Sequence, residues 1–160
     1  MTGPNHVLVT GATSAIGSAL AVSYARMGVT LNLQGRNAER LEKVAAACEA
    51  QGAQVVTTLL DLRDFAALRL WLEELGPLDL LIINAGVNTH VGPNGEPEPW
   101  NEVEALLDVN LKAAMMIVHA VLPALRAQNS GQIALISSLA GYFGLPVTPS
   151  YSASKAALKA

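Results

Sequence analysis

Two clusters of residues in this chain have the types and spacing to do chemistry, and they lie near opposite ends. Tyr151 and Lys155 stand four residues apart in Tyr151-Ser152-Ala153-Ser154-Lys155. On a helix that separation puts both side chains on one face. A phenol is a poor base at neutral pH, but an ammonium beside it favours the phenolate. The pair therefore suits proton exchange with a substrate oxygen. Ser138 precedes it by one loop, and its hydroxyl can donate a hydrogen bond to a carbonyl oxygen. Near the N-terminus, Thr10-Gly11-Ala12-Thr13-Ser14-Ala15-Ile16-Gly17 is a glycine-bearing turn between a strand pattern and a helix pattern. Such a turn lets the backbone approach a pyrophosphate, which the N–H groups and positive dipole end of the next helix attract. By itself the turn also fits a plain strand-to-helix connection, and a Tyr–Lys pair at this spacing arises often by chance.

The elements that must position these clusters alternate along the chain. His6 to Thr10 is an apolar strand, and Ile16, Leu20, Tyr24 and Met27 have helical spacing up to Gly28. Thr30 to Gln34 reads as a second strand, and Ala38 to Gln51 as a helix with Leu41, Val44 and Cys48 on one stripe. Gln54 to Leu60 is a β-branched third strand, and Asp64 caps a helix running to Leu75. Leu78 to Ile83 is a nearly continuous apolar run, as a strand buried on both faces requires. Asn88 to Pro99 is the one long loop. A helical stretch from Asn101 to Gln128, broken near Asp108, leads to a fifth strand over Gly131 to Ser137. After a loop over Leu139 to Pro149, Ser150 caps a last helix from Tyr151 to Ala160. Strands alternating with helices at this spacing imply parallel βαβ units, hence a doubly wound parallel α/β sheet. Ligands of such sheets sit beyond the carboxyl ends of the strands. The polar and glycine clusters Thr10-Gly11, Gly35-Arg36, Asp61, Asn84-Ala85-Gly86 and Ser137-Ser138 all fall there.

Composition narrows the function. The 160 residues match one domain by length, with no room for two. The formal net charge of −3 argues against a nucleic-acid binder, which needs clustered positive charge. Hydrophobic residues make up 51% and charged residues 14%, and the mean hydropathy is +0.35, so a core can be filled and disorder is excluded. The apolar runs are short and fall below the roughly 20 residues of a membrane span, and the N-terminal residues lack a signal-peptide pattern. With one cysteine, Cys48, there is no internal disulfide, and a zinc site or other metal centre is not expected. A cytoplasmic location is the default.

The order and spacing of both clusters, with everything between them, resemble the short-chain dehydrogenase/reductase family over His6 to Ala160. The resemblance rests on Thr10-Gly11 to Gly17, Asp61-Leu62, Asn84-Ala85-Gly86, Asn110 in Val109-Asn110-Leu111, Ser138 after Ile136-Ser137, and Tyr151 to Lys155. It implies a Rossmann-like sheet and hydride transfer between a nicotinamide dinucleotide and a small-molecule carbonyl or alcohol substrate. Tyr151 would exchange the proton, Lys155 would favour its phenolate and hydrogen-bond the nicotinamide ribose, and Ser138 would hold the reacting oxygen. Asn110 would interrupt its helix and anchor a water in a proton relay. Gly11, Thr13, Ser14, Ile16 and Gly17 would line the pyrophosphate site. Asp61 and Leu62 would meet the adenine, and Asn84, Ala85 and Gly86 would stabilise the sheet centre beside the cofactor. The second strand ends Gln34-Gly35-Arg36-Asn37 without an acid. Arg36 can pair with a 2′-phosphate, so NADP(H) is expected over NAD(H).

Departures are Ala15 at the family's middle glycine and Ile83 where an asparagine often precedes the Asn-Ala-Gly triplet. The sequence stops within the helix of Tyr151 and Lys155, whereas the resemblance implies two further strands and a segment closing over substrate. Residues 1–160 are thus expected to be the N-terminal part of one longer dinucleotide-binding domain, or a chain completed by a partner. A non-catalytic dinucleotide-binding or interaction module stays open beside the enzyme. A homodimer or homotetramer is implied, with Ala113, Ala114, Ile117 and Val121 as its apolar face. Cys48 is expected to be half-buried and Trp71 and Trp100 to be packing residues. His6 looks structural, and His119 is expected at an interface or in the core. His90 lies near substrate entry, and Glu96, Glu98, Glu102 and Glu104 form a solvated stretch.

Overall fold

The structure is a computed structural model that describes residues 3–159. Five strands, β1 (His6–Val9), β2 (Thr30–Gly35), β3 (Gln54–Leu59), β4 (Leu80–Ile83) and β5 (Gln132–Leu135), form one sheet in the order β3-β2-β1-β4-β5. Every pairing is parallel; Val7 lies opposite Leu31 on one side and Leu80 on the other. The helices are α1 (Ala15–Tyr24), α2 (Ala38–Glu49), α3 (Phe65–Glu73), α4 (Trp100–Leu107), α5 (Ala114–Ala127) and α6 (Pro149–Ala157). The doubly wound parallel architecture is the one read from the sequence. The switch in strand order lies between β1 and β4, where chains leave to opposite sides and a crevice opens.

Two apolar layers cover the sheet. On one face Val7, Val9, Leu31, Leu33 and Ile82 pack with Ala21 of α1 and Leu41 and Cys48 of α2. On the other, Leu8, Leu81 and Ile83 pack with Leu68 of α3 and Ala113, Ile117, Val121 and Leu125. Cys48 is fully buried rather than half-buried, because the α2 stripe lies flat on the sheet, and burial pushes its thiol pKa up. The small-residue face of Ala113, Ala114, Ile117 and Val121 is core rather than an interface between copies: it fills the second layer. Met115 and His119 point outward instead, and Trp100 is 68% exposed rather than packed.

The helical break expected near Asp108 is a π-helical turn over Asp108–Ala113, joining α4 and α5 without a gap. The resulting 28-residue run Trp100–Ala127 is long and apolar enough, by length and composition, to cross a membrane. That corrects the expectation from the short apolar runs. Here its apolar stripe packs on the sheet. Asp64 caps α3 by accepting from the Ala67 N–H at 3.0 Å, as read from the sequence. Helix α6 begins earlier than expected, at Pro149 after Thr148, so Ser150 is inside it and is not the cap. A fixed φ suits proline to that first turn.

The start of β1 is held by a carboxylate. Asp79 accepts hydrogen bonds from the backbone N–H groups of Asn5 at 2.8 Å and His6 at 3.0 Å, and these bonds hold its pKa below the usual carboxylate value. A carboxyl whose pKa is lowered by folding stabilises above its unfolded pKa and loses that contribution as pH falls through the folded value. Asp79→Ala is expected to cost about 1 kcal/mol at pH 7. The deficit should begin to shrink below pH ~4 and vanish as pH falls through the lower native pKa, where the native carboxylate is protonated too. Urea melts at pH 7 and in acid measure it; an equal deficit at both would reject the ionic origin.

Candidate active site

The loops beyond the carboxyl ends of all five strands enclose one cavity of about 600 Å³. Of the residues singled out in the sequence, Gly11, Thr13, Ser14, Ile16, Arg36, Asp61, Leu62, Asn84, Ala85, Gly86, Tyr151 and Lys155 line it. Gly17, Asn110 and Ser138 do not line it.

The first turn is built for close approach. Gly11 has φ +64°, and a Cβ there would meet the Ala85 Cα at 2.8 Å. A Cβ on Gly17 would run into the Gly11 carbonyl oxygen and the Asn84 side chain. Ser14 caps α1 by accepting from the Gly17 N–H at 3.0 Å. The first N–H groups of α1, from Ala15 on, have no intrahelical partner, and Ala15 and Ile16 line the cavity. Ala15 is exposed, so its methyl group meets no crowding from the protein. Asn84 is buried, and its Nδ2 reaches the carbonyl oxygens of Thr10 and Gly11 at 3.0 Å each and Ser14 Oγ at 3.1 Å. Thr10 Oγ1 accepts from the N–H groups of Asn84 and Ala85, both at 3.1 Å. Buried polar groups at the β1–β4 crevice are therefore satisfied by one another, and the turn is rigid.

At the end of β2 the cavity holds two guanidinium groups, Arg36 and Arg40. Arg36 Nη1 lies 3.9 Å from Asp61 Oδ2, but Arg63 holds that carboxylate more closely, at 2.7 Å. Hydrogen bonding from Arg63 pulls the Asp61 carboxyl below its usual pKa, against the opposing effect of partial burial. The Asp61 carboxylate is thus already paired with Arg63, which leaves Arg36 and Arg40 to make this rim of the cavity positive.

The Tyr–Lys end is equally ordered. Lys155 is 4% exposed, and its Nζ donates to the Ile136 carbonyl at 2.8 Å and stands 5.7 Å from the centre of the Tyr151 ring. Burial pushes its ammonium pKa down. Ser137 Oγ donates to the Lys155 carbonyl at 2.9 Å, fixing α6 against the end of β5. Ser138 Oγ accepts from the Ala140 N–H at 3.2 Å and caps the 3₁₀ turn Leu139–Gly141. Asn110 sits in the π turn, 1% exposed. Its Oδ1 accepts from the Val87 N–H at 2.8 Å, and its Nδ2 donates to the Val87 carbonyl at 2.9 Å and to Ser154 Oγ at 3.1 Å. The π turn thereby joins the loop after β4 to α6.

Several contributors were not singled out in the sequence. Gln34 and Arg40 line the cavity, and of the Ser137-Ser138 cluster it is Ser137, given no role in the sequence, that lines it. Arg40 had a signal: it lies four residues after Arg36, one turn along α2. Glu98 is not part of a solvated stretch. It is half-buried, and its Oε2 accepts from the Ser150 N–H at 3.1 Å and from the Ser150 hydroxyl, latching the long loop to the start of α6. Glu102 likewise takes the hydroxyl of buried Thr89 at 2.9 Å. His90 and His119 are exposed, and neither lines the cavity.

A dinucleotide fits these residues. The Gly11–Gly17 turn leaves space where side chains would block a pyrophosphate, the N-terminus of α1 supplies donors and a positive dipole end, and the positive rim suits an added phosphate. The described residues hold no cluster of metal ligands.

Comparison with known proteins agrees with this geometry. Residues 5–160 match the model of the short chain dehydrogenase family. The chain is 36% identical to a 3-dehydrosphinganine reductase of Arabidopsis thaliana, covering 96% of this chain and 47% of that protein. It is 37% identical to an uncharacterized oxidoreductase of Myxococcus xanthus, over 94% of this chain and 60% of the relative. The chain thus spans roughly half to three fifths of these relatives. Among solved structures, a metagenomic short-chain oxidoreductase in complex with NADP superposes with a TM-score of 0.89 at 34% identity, covering 97% of this chain and 72% of that one. An NAD+-bound xylitol dehydrogenase gives 0.85 at 30% identity, covering 96% and 60%. With the family model spanning nearly all its residues and the same parallel sheet beneath the crevice, the chain belongs to the short-chain dehydrogenase family.

Proposed function

We propose that this chain carries the cofactor site and proton-transfer residues of an NADP(H)-dependent oxidoreductase acting on a small carbonyl or alcohol substrate. The observation that carries the reading is the single cavity on which the pyrophosphate turn, the Arg36–Arg40 rim, Tyr151 and Lys155 all open. When bound, the nicotinamide supplies or accepts the hydride. Tyr151 gives its phenolic proton to the substrate oxygen in reduction and takes it back in oxidation. Lys155, held on the Ile136 carbonyl, keeps a positive charge at that phenol and would hold the nicotinamide ribose. The oxygen of Ser138 already accepts from Ala140, so its own hydrogen is the one left to donate to the substrate oxygen. Asn110 keeps α6 in register through Ser154. Association of two or four copies belongs to this reading, through the outer faces of α4 and α5, where Trp100, Met115 and Leu122 are exposed. So does a cytoplasmic location, which suits the free, buried Cys48.

The cofactor preference follows from charge. Two cations at the end of β2, with no acid on that strand end, favour a 2′-phosphate over a 2′-hydroxyl. Arg36→Ala is expected to lower the ratio of NADPH to NADH affinity about tenfold or more, read from fluorescence titrations with each cofactor. An unchanged ratio would reject Arg36 as the discriminator. A screen of NADPH oxidation against aldehydes, ketones and sugars tests the reaction itself. Tight NADPH binding with no turnover on any of them would leave the binding-module reading.

A further inference from the structure

One buried polar side chain, Gln34, lies beneath the pyrophosphate turn. Gln34, the fifth residue of β2, is 2% exposed, buried between Leu33 and Gly35 at the end of the strand. Burying an amide is unfavourable unless both of its ends are paired, and both are. Its Oε1 accepts from the Gly11 N–H at 3.0 Å, and its Nε2 donates to the Leu60 carbonyl at 2.6 Å. Its backbone carbonyl also accepts from the Ala12 N–H at 2.9 Å. One residue therefore bridges the chain ends leaving β1, β2 and β3.

The bond to Gly11 is the consequential one. The carbonyl of Gly11 is taken by Asn84 Nδ2 and by the Ser14 N–H at 3.1 Å. With its N–H held by Gln34, both polar groups of Gly11 are committed to protein partners, and its positive φ is held from both sides. Gly11 itself then has no polar group left for a ligand, which must be met by the residues after it, Thr13 to Ile16, that line the cavity.

We infer that Gln34 is a positioning residue for the dinucleotide: it holds the pyrophosphate turn in its binding shape from below, without touching the ligand's diphosphate. The inference rests on the proposed dinucleotide site. Gln34→Met keeps the volume and the strand's backbone bonds, so Arg36 stays in place, but it removes both side-chain hydrogen bonds. In the full chain it should weaken NADPH about tenfold, read by NADPH fluorescence. It should weaken adenosine 2′-monophosphate, which lacks the diphosphate, by less than about twofold. A merely structural role would weaken both ligands together, and that result overturns the inference, as does unchanged NADPH affinity. Failure of the wild type to bind NADPH would instead overturn the dinucleotide reading, and this inference with it. A measurement on the wild type covers a variant that does not fold. The Gly11 amide should exchange slowly with solvent before any ligand is added, and rapid exchange would show that its bond to Gln34 is not made.

Discussion

Replacing Tyr151 with Phe is expected to lower turnover about 10²- to 10⁴-fold, the usual worth of a positioned general acid–base. The substitution removes one oxygen and leaves the ring, so the packing of α6 and the place of Lys155 beneath it are kept. Affinity for NADPH should change little, because the pyrophosphate turn and the Arg36 rim lie at the other end of the cavity. The decisive comparison is turnover against cofactor affinity in the same preparation. A loss confined to turnover supports proton transfer by the phenol. Equal loss of both would point to a collapsed site, and retained turnover would remove Tyr151 from the mechanism.

The second large effect lies at the opposite end of the cavity. Gly17→Ala places a methyl group against the Gly11 carbonyl oxygen, the Asn84 amide and the Ala12 Cα at 3.0 Å. Two of these are backbone atoms in a turn that Asn84 and Thr10 already pin, so no rotamer change relieves the contact. Overpacking of this kind costs about 1–3 kcal/mol. For a chain of this size that is a fall in melting temperature of roughly 2–12 °C. The helix must also back away from the turn, and NADPH affinity should drop at least about tenfold. Calorimetry and cofactor titration on the variant check both. Native stability with native affinity would show that the turn is looser than its contacts indicate.

Much of this was legible in the sequence because it depends on local pattern. Strands with apolar runs, glycine-bearing turns after them and helical stripes between them fix a parallel sheet. The rule that ligands sit at strand carboxyl ends then gathers Gly11, Arg36, Asp61 and Asn84 at one mouth, and the family resemblance adds Tyr151. What was hidden depends on partners far apart in the chain. Gln34 looks like an ordinary polar residue until Gly11 and Leu60 are seen on either side of it. Glu98 sits in an acidic, proline-rich segment, and nothing local reveals Ser150 as its partner across 52 residues. Ala113, Ala114, Ile117 and Val121 have the small-residue look of an interface, but the same stripe is what a helix needs to lie close on a sheet. The π turn is similar: Asp108 and Asn110 signal an interruption, yet the backbone runs on through it as a π-helical turn, and the partners of Asn110, Val87 and Ser154, lie far from it in the chain.

The burial of Lys155 bears on how this sequence tolerates change. An ammonium with a lowered pKa makes the native state less stable wherever the unfolded chain would hold the proton more readily. That deficit is fully present below its native pKa and fades as pH rises from there towards the unfolded value of 10.5. A selection that rewarded only folding at neutral pH would drift towards an apolar side chain at this position, as it would for most buried charges. On the proposed mechanism, heat resistance and turnover make opposite demands on Lys155, and libraries screened for the first would be expected to lose the second there.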